Sequence, residues 1–176
     1  MVYRLDAGTV IDADGNLVIE NMYASSVTET YKFQGSTSGY NSGGFSGTRF
    51  TRNNIIEKFP FSADANSTDV GDLTQARQYL AGQSAAENGY TSGGLAPSND
   101  GIIDKYPFAS DANATDVGDM VQARSRVTGQ SSATSGYNSA GLIPPHSNVI
   151  EKFPFSTDAN ATDVGDLTSA RNNVSG

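Results

Sequence analysis

Three near-verbatim copies of a 47-residue unit follow one another along this chain, and any fold it adopts has to repeat with them. Ile55-Ile56-Glu57-Lys58-Phe59-Pro60-Phe61 returns as Ile102-Ile103-Asp104-Lys105-Tyr106-Pro107-Phe108 and again as Val149-Ile150-Glu151-Lys152-Phe153-Pro154-Phe155. Asp64, Asp111 and Asp158 keep the same offset, as do Arg77, Arg124 and Arg171. A repeat this faithful makes each copy one supersecondary unit that buries its apolar surface against its neighbours.

What those units are made of points to strands. Large aliphatic side chains are scarce, while Gly, Ser, Thr, Asn and Asp crowd the sequence. Such a mixture suits short strands and tight turns, because Gly supplies positive φ and Asx side chains close turns on their own backbone. A disordered chain shares the low hydrophobicity but does not return apolar residues to the same positions. Each unit holds an aromatic, glycine-rich piece (Gly39-Tyr40, Gly89-Tyr90, Gly136-Tyr137), then the Ile-Glu/Asp-Lys-aromatic-Pro-Phe strand, whose Pro marks a strand end or edge. A third piece runs from Asp-Ala-Asn through Asp-Val-Gly-Asp to Ala-Arg. Within it Leu73, Ala76 and Leu80 fall at helix spacing, as do Met120, Ala123 and Val127, and Leu167, Ala170 and Val174. Gly82, Gly129 and Gly176 stop that pattern after barely two turns, so strand and loop are expected there.

Residues 1–34 lie outside the repeat. Thr9-Val10-Ile11 and Leu17-Val18-Ile19 flank Asp14-Gly15-Asn16, which predicts an N-terminal β-hairpin. That segment reads either as an attachment or oligomerisation element or as a strand pair packed on the repeats. Residues 35–176 hold the three units.

With a net charge of −8 and a pI near 4.4, the chain lacks the clustered Lys and Arg that bind a phosphate backbone or an anionic membrane. Cysteine is absent, which removes disulfides and thiolate zinc sites. The opening Met1-Val2-Tyr3-Arg4-Leu5-Asp6 has no apolar h-region, and no run of about eighteen apolar residues follows. A soluble protein with no Sec signal and no transmembrane segment is expected.

The order of residues resembles a Kelch repeat. Gly43-Gly44 and Gly93-Gly94 match that family's glycine doublet, with Ala140-Gly141 in the third unit. Phe59, Tyr106 and Phe153 match its strand-ending aromatic, and Arg77, Arg124 and Arg171 its arginine. The family's tryptophan is absent, Val70, Val117 and Val164 standing nearest its place. The resemblance implies three β-propeller blades, an all-β partial propeller with the N-terminal hairpin as an extension. In its Ser/Asn/Gly-rich form the repeat is similar to those of structural and tail-fibre-like proteins of tailed phages, marine ones especially. That likeness implies a virion protein assembled in the host cytoplasm, with other virion proteins as partners.

Little in the sequence asks for chemistry. Asp64 and Asn66, with Asp111 and Asn113 and with Asp158 and Asn160, resemble the start of a calcium loop. The match fails where an EF-hand needs Gly and a bidentate Glu, the latter place holding Gln75, Gln122 or Ser169. Asx-turns account for the same residues, so no cofactor is expected and calcium is the one candidate ion. Asn66, Asn113 and Asn160 also head glycosylation sequons, which stay unmodified without secretion. His146 is the single histidine and sits beside Pro144-Pro145 in a loop the other units do not reproduce. Three equivalent copies of the repeat carboxylates describe architecture better than an active site. The arginines can hold loop carbonyls or pair with Asp of the same or the next unit. The expected function is therefore that of a non-enzymatic virion structural component, fibre- or decoration-like. The alternative is a carbohydrate-binding adhesin using Tyr40, Tyr90, Tyr137 and the Asn/Asp/Thr loops on a cell-surface glycan. Three units fall short of the four to eight that close a propeller, so a homo-oligomer is expected in either case.

Overall fold

The computed structural model describes residues 3–5, 9–11, 17–19, 37–47 and 51–176. Its described residues contain β-strands and no helix, so the protein is all-β. The chain divides into two compact units, 1–32 and 33–176. In the first, β1 (Tyr3–Leu5), β2 (Thr9–Ile11) and β3 (Leu17–Ile19) form an antiparallel sheet in the order β1-β2-β3. The pairing of Thr9 with Ile19 and of Ile11 with Leu17 is the expected hairpin, to which β1 adds a third strand. Asp14-Gly15-Asn16 and residues 20–33 lie outside the described residues.

The repeats give three antiparallel sheets of the same design. The first unit has β4 (Ser38–Ser42), β7 (Ile55–Pro60) and β8 (Thr68–Asp72), with a small hairpin of β5 (Phe45–Ser46) and β6 (Thr51–Arg52) between β4 and β7. The second has β9 (Ala81–Ser84), β10 (Asn88–Ser92), β11 (Ile102–Pro107) and β12 (Thr115–Asp119), each strand paired with the next. The third repeats it with β13 (Thr128–Ser131), β14 (Ser135–Ser139), β15 (Val149–Pro154) and β16 (Thr162–Asp166). The hairpin marks where the repeat is not exact. Residues 45–54 connect β4 to β7, three more than the 95–101 that follow Gly94, so Tyr40 precedes Tyr90 by 50 while Ile55 precedes Ile102 by 47.

One irregularity recurs at each copy of the middle strand. The register shifts between Ile56 and Glu57, between Ile103 and Asp104, and between Ile150 and Glu151. Opposite each shift lies Asp-Val-Gly, and in each the Asp carboxylate accepts the N–H of the Gly two residues on: Asp69 from Gly71, Asp116 from Gly118, Asp163 from Gly165. The three glycines share φ near +150°, a backbone that L side chains rarely adopt. The Asp-Val-Gly-Asp motif is therefore a bulge device: it kinks the last strand of each sheet against its neighbour.

The stretches with helical spacing contain bends and isolated bridges instead. Leu73, Met120 and Val127 are buried, but from extended chain that crosses from one sheet to the next. Two apolar clusters result, and both mix residues from consecutive units. Ile56 and Leu73 meet Tyr106 and Ala114, while Tyr90, Ile103 and Met120 meet Phe153 and Ala161. The first strands of successive sheets also run together, with the N–H of Ser84 on Ser131 Oγ at 2.9 Å. The core of this protein thus lies between its units.

Candidate functional site

The side chains that the sequence singled out converge on the junctions between units. Each repeat arginine is fixed at its backbone by its own unit: the carbonyls of Arg77, Arg124 and Arg171 accept the N–H of Gly44, Gly94 and Gly141 at 2.9–3.0 Å. The doublets supply the room for this. Gly43 and Gly93 have φ near +60°, and a Cβ on either would meet that arginine carbonyl at 2.8 and 2.7 Å. Ala140 takes the same φ, 62°, in the third unit, showing that the conformation is kept where the glycine is not. An alanine held there costs about 1 kcal/mol.

From this anchor the arginine side chain reaches into the next unit. Arg77 places Nη2 2.7 Å from Asp104 and Nη1 2.9 Å from the carbonyl of Ile102, and both charged groups are fully buried. Asp104 also accepts from the hydroxyl and the N–H of Thr74. Arg124 approaches Glu151 in the same way, but only to 3.4 Å. Glu151 is one methylene longer and is held by the N–H of Val121 at 3.0 Å and by Asn138 at 3.3 Å. Arg124 consequently has three guanidinium nitrogens without a hydrogen-bond partner, against one for Arg77. Burial pulls Arg124 below its ordinary pKa and pushes Glu151 above its own, and the mutual attraction opposes both shifts.

Around the ion pairs each junction repeats three further contacts. Tyr40 stacks on Phe108 with centroids 5.0 Å apart, and Tyr90 on Phe155 at 4.9 Å. Lys58 pairs with Asp111 and Lys105 with Asp158. Asn113 accepts the N–H of Asp72, and Asn160 that of Asp119, both at 3.0 Å, while Ala114 and Ala161 donate back to the same two residues. The candidate calcium oxygens of Asp111, Asn113, Asp158 and Asn160 are thus engaged across junctions, and among the described residues no group of three His, Asp or Glu side chains gathers to hold a metal. Asp64 and Asn66, their counterparts in the first unit, are exposed.

The tyrosines proposed for glycan contact differ in access. Tyr90 is 2% exposed and its ring is covered by Phe155, so a sugar would have to displace the next unit. Tyr40 is half-buried under Phe108, and Tyr137 is half-buried with no ring stacked on it among the described residues. The strand-ending aromatics follow a related gradient, Phe59 half-buried, Tyr106 and Phe153 buried. Burial pushes the hydroxyl of Tyr106 up to about 12, and its polar contact with Ser42 opposes that shift.

A groove of about 350 Å³ runs beside β4, β9 and β13, walled by Tyr40, Phe61, Tyr106 and Phe108 with the amides of Gln83 and Gln130. No carboxylate, histidine or basic side chain lines it among the described residues, so it has no acid–base pair for hydrolysis. His146 lies at the surface, with Nδ1 3.2 Å from the amide of Asn172. No helix among the described residues is long and apolar enough to cross a membrane. No protein-family model matches the chain, and no curated protein shows significant similarity to it.

The aromatic after the proline was the functional residue that sequence reasoning missed. Phe108 and Phe155 cover the tyrosines of the preceding units, and their strict recurrence beside Pro107 and Pro154 was the available signal.

Proposed function

We propose that this chain is a non-enzymatic structural component whose Kelch-like units stack as blades of a partial propeller, fibre- or decoration-like, in a virion. The observation that carries the reading is the repeated junction, in which Arg77 and Arg124, Tyr40 and Tyr90, and the Asx residues of the second and third units are engaged in packing unit on unit. A chain that spends its distinctive side chains on its own rigidity is suited to spacing or decorating a particle. Other virion proteins and further copies of the chain are the partners this reading names, and calcium is dispensable to it.

Antibody raised against the purified chain should label intact particles released by lysis of the host. Glycan arrays should stay blank with the same preparation. A glycan signal that Tyr137→Ala abolishes, together with unlabelled particles, would replace this reading by the adhesin.

A further inference from the structure

The two internal junctions have one polarity: the arginine, lysine and tyrosine come from the earlier unit, and the acids, the asparagine and the post-proline phenylalanine from the later one. The third unit therefore presents one half of this contact set uncovered, and the first unit the other half. On the third unit Arg171 is exposed, and among the described residues no ring stacks on Tyr137 and no acid pairs with the amine of Lys152. Val164 is 48% exposed there, where its counterparts Val70 and Val117 are partly covered. On the first unit Glu57 is exposed where Asp104 and Glu151 are fully buried, and Phe61 is 55% exposed where Phe108 and Phe155 are partly covered. Asp64 and Asn66 are exposed in the same unit.

We propose that these two faces bind each other between copies of the chain, head to tail, repeating the internal junction. The partner is a second copy because the faces complement each other in charge, in rings and in shape at the same time. Arg171 then meets Glu57, Lys152 meets Asp64, Tyr137 stacks on Phe61, and Asn66 accepts the N–H of Asp166. The shape match is visible at the bulge glycines. A Cβ on Gly71 would meet the carbonyl of Ala112 at 2.4 Å and one on Gly118 that of Ala159 at 2.6 Å, but Gly165, with the same φ, faces open space. That space is where the carbonyl of Ala65 from the second copy belongs. The contact is heterologous, so each copy uses both faces and the assembly is a closed ring or an open row of units.

This inference rests on the structural reading above and specifies its self-association. Charge reversal tests it, because both residues are exposed in the single chain. The wild type should show a mass by light scattering that rises above 18.4 kDa with concentration. Arg171→Glu alone and Glu57→Arg alone should each weaken association by about a hundredfold or more, since like charges would face each other in a buried contact. Circular dichroism and melting of both variants should match the wild type. Mixing the two should restore association, because each new charge then meets its opposite and the remaining faces stay native. An 18.4 kDa wild type at every concentration, single variants that associate like the wild type, or a mixture that stays monomeric would each overturn the proposal. Particles that the antibody labels although the chain is monomeric would overturn this contact alone, and association without labelling would overturn the structural reading alone.

Discussion

Arg124 and Arg171 leave their units by the same route, each with its carbonyl under a doublet glycine, and end in opposite surroundings. Arg124 passes into the third unit, loses all contact with solvent and faces the buried Glu151. Arg171 carries no such cover among the described residues and remains exposed. Both sit in the same Ala-Arg-x-x-Val frame, and the difference lies in what packs on the side chain. Junction and end face can therefore be compared as the same chemistry with and without a partner.

The largest effect should come from the arginines themselves. Removing one member of a buried ion pair leaves the other charge desolvated and unpaired, at a cost of about 3–5 kcal/mol. Arg124→Ala should lower stability by that amount in urea denaturation, since Glu151 would stay buried. Arg171→Ala should change it by less than about 0.5 kcal/mol in dilute solution, as surface substitutions do. Equal losses at the two positions would mean that Arg171 is held in solution as tightly as Arg124.

The bulge glycines sharpen the comparison by separating backbone strain from contact. Both Gly118→Ala and Gly165→Ala place a Cβ on backbone with φ near +150°, which costs about 1 kcal/mol or more. Only at Gly118 does the Cβ also run into the carbonyl of Ala159. We expect a loss of about 3 kcal/mol at Gly118 and about 1 kcal/mol at Gly165, from the range of overpacking and strain penalties. Similar values at both positions would assign the whole cost to backbone conformation and remove the argument for a close approach between units.

These positions also show how far the sequence could be read. The all-β character and the strand and loop form of the Leu73 to Leu80 stretch follow from turn chemistry and from Gly82, which are local properties. That Ala140 holds a positive φ could not be read, because alanine disfavours it and only the packing of Arg171 against the doublet imposes it. Nor could the partner of each arginine be chosen. Every unit offers several acids at fixed spacing, and only the bulge beside Ile103 and Ile150 aims Asp104 and Glu151 at the preceding unit. The strand β1 and the β5–β6 hairpin fall outside the repeat and had no second copy to reveal them.

The post-proline phenylalanines should show a smaller contrast. Phe155 covers Tyr90 and is partly buried, so Phe155→Ala should cost about 2 kcal/mol, below the 3–5 of a fully buried aromatic. Phe61→Ala removes a ring that covers no tyrosine of a preceding unit, and thermal melts of the dilute chain should register about 0.5 kcal/mol or less. A loss at Phe61 comparable to that at Phe155 would show that its edge contact with Phe59 carries more than exposure suggests.

The smallest effect belongs to a position that all three units share, occupied by Phe59, Tyr106 and Phe153. Tyr106→Phe gives the middle unit the residue its neighbours already use, so packing is preserved and only the hydroxyl is lost. Near neutral pH the variant should be less stable by about 1 kcal/mol, because the hydroxyl's polar contact with Ser42 is lost. At high pH the sign should reverse. The folded hydroxyl titrates at about 12, raised from an ordinary value of 10, so between those values the unfolded chain gives up the proton first. Stability from this group is intact below pH 10 and drains away as the pH rises towards 12, by about 1.4 kcal/mol at pH 11. The variant has no such loss, and the other tyrosines titrate alike in both proteins and cancel in the difference. Urea midpoints measured from pH 8 to pH 11.5 should therefore cross close to pH 11. Parallel curves over that range would mean that Tyr106 ionises as readily in the folded chain as in the unfolded one, and that the ring of Tyr40 and the first unit do not seal it from water.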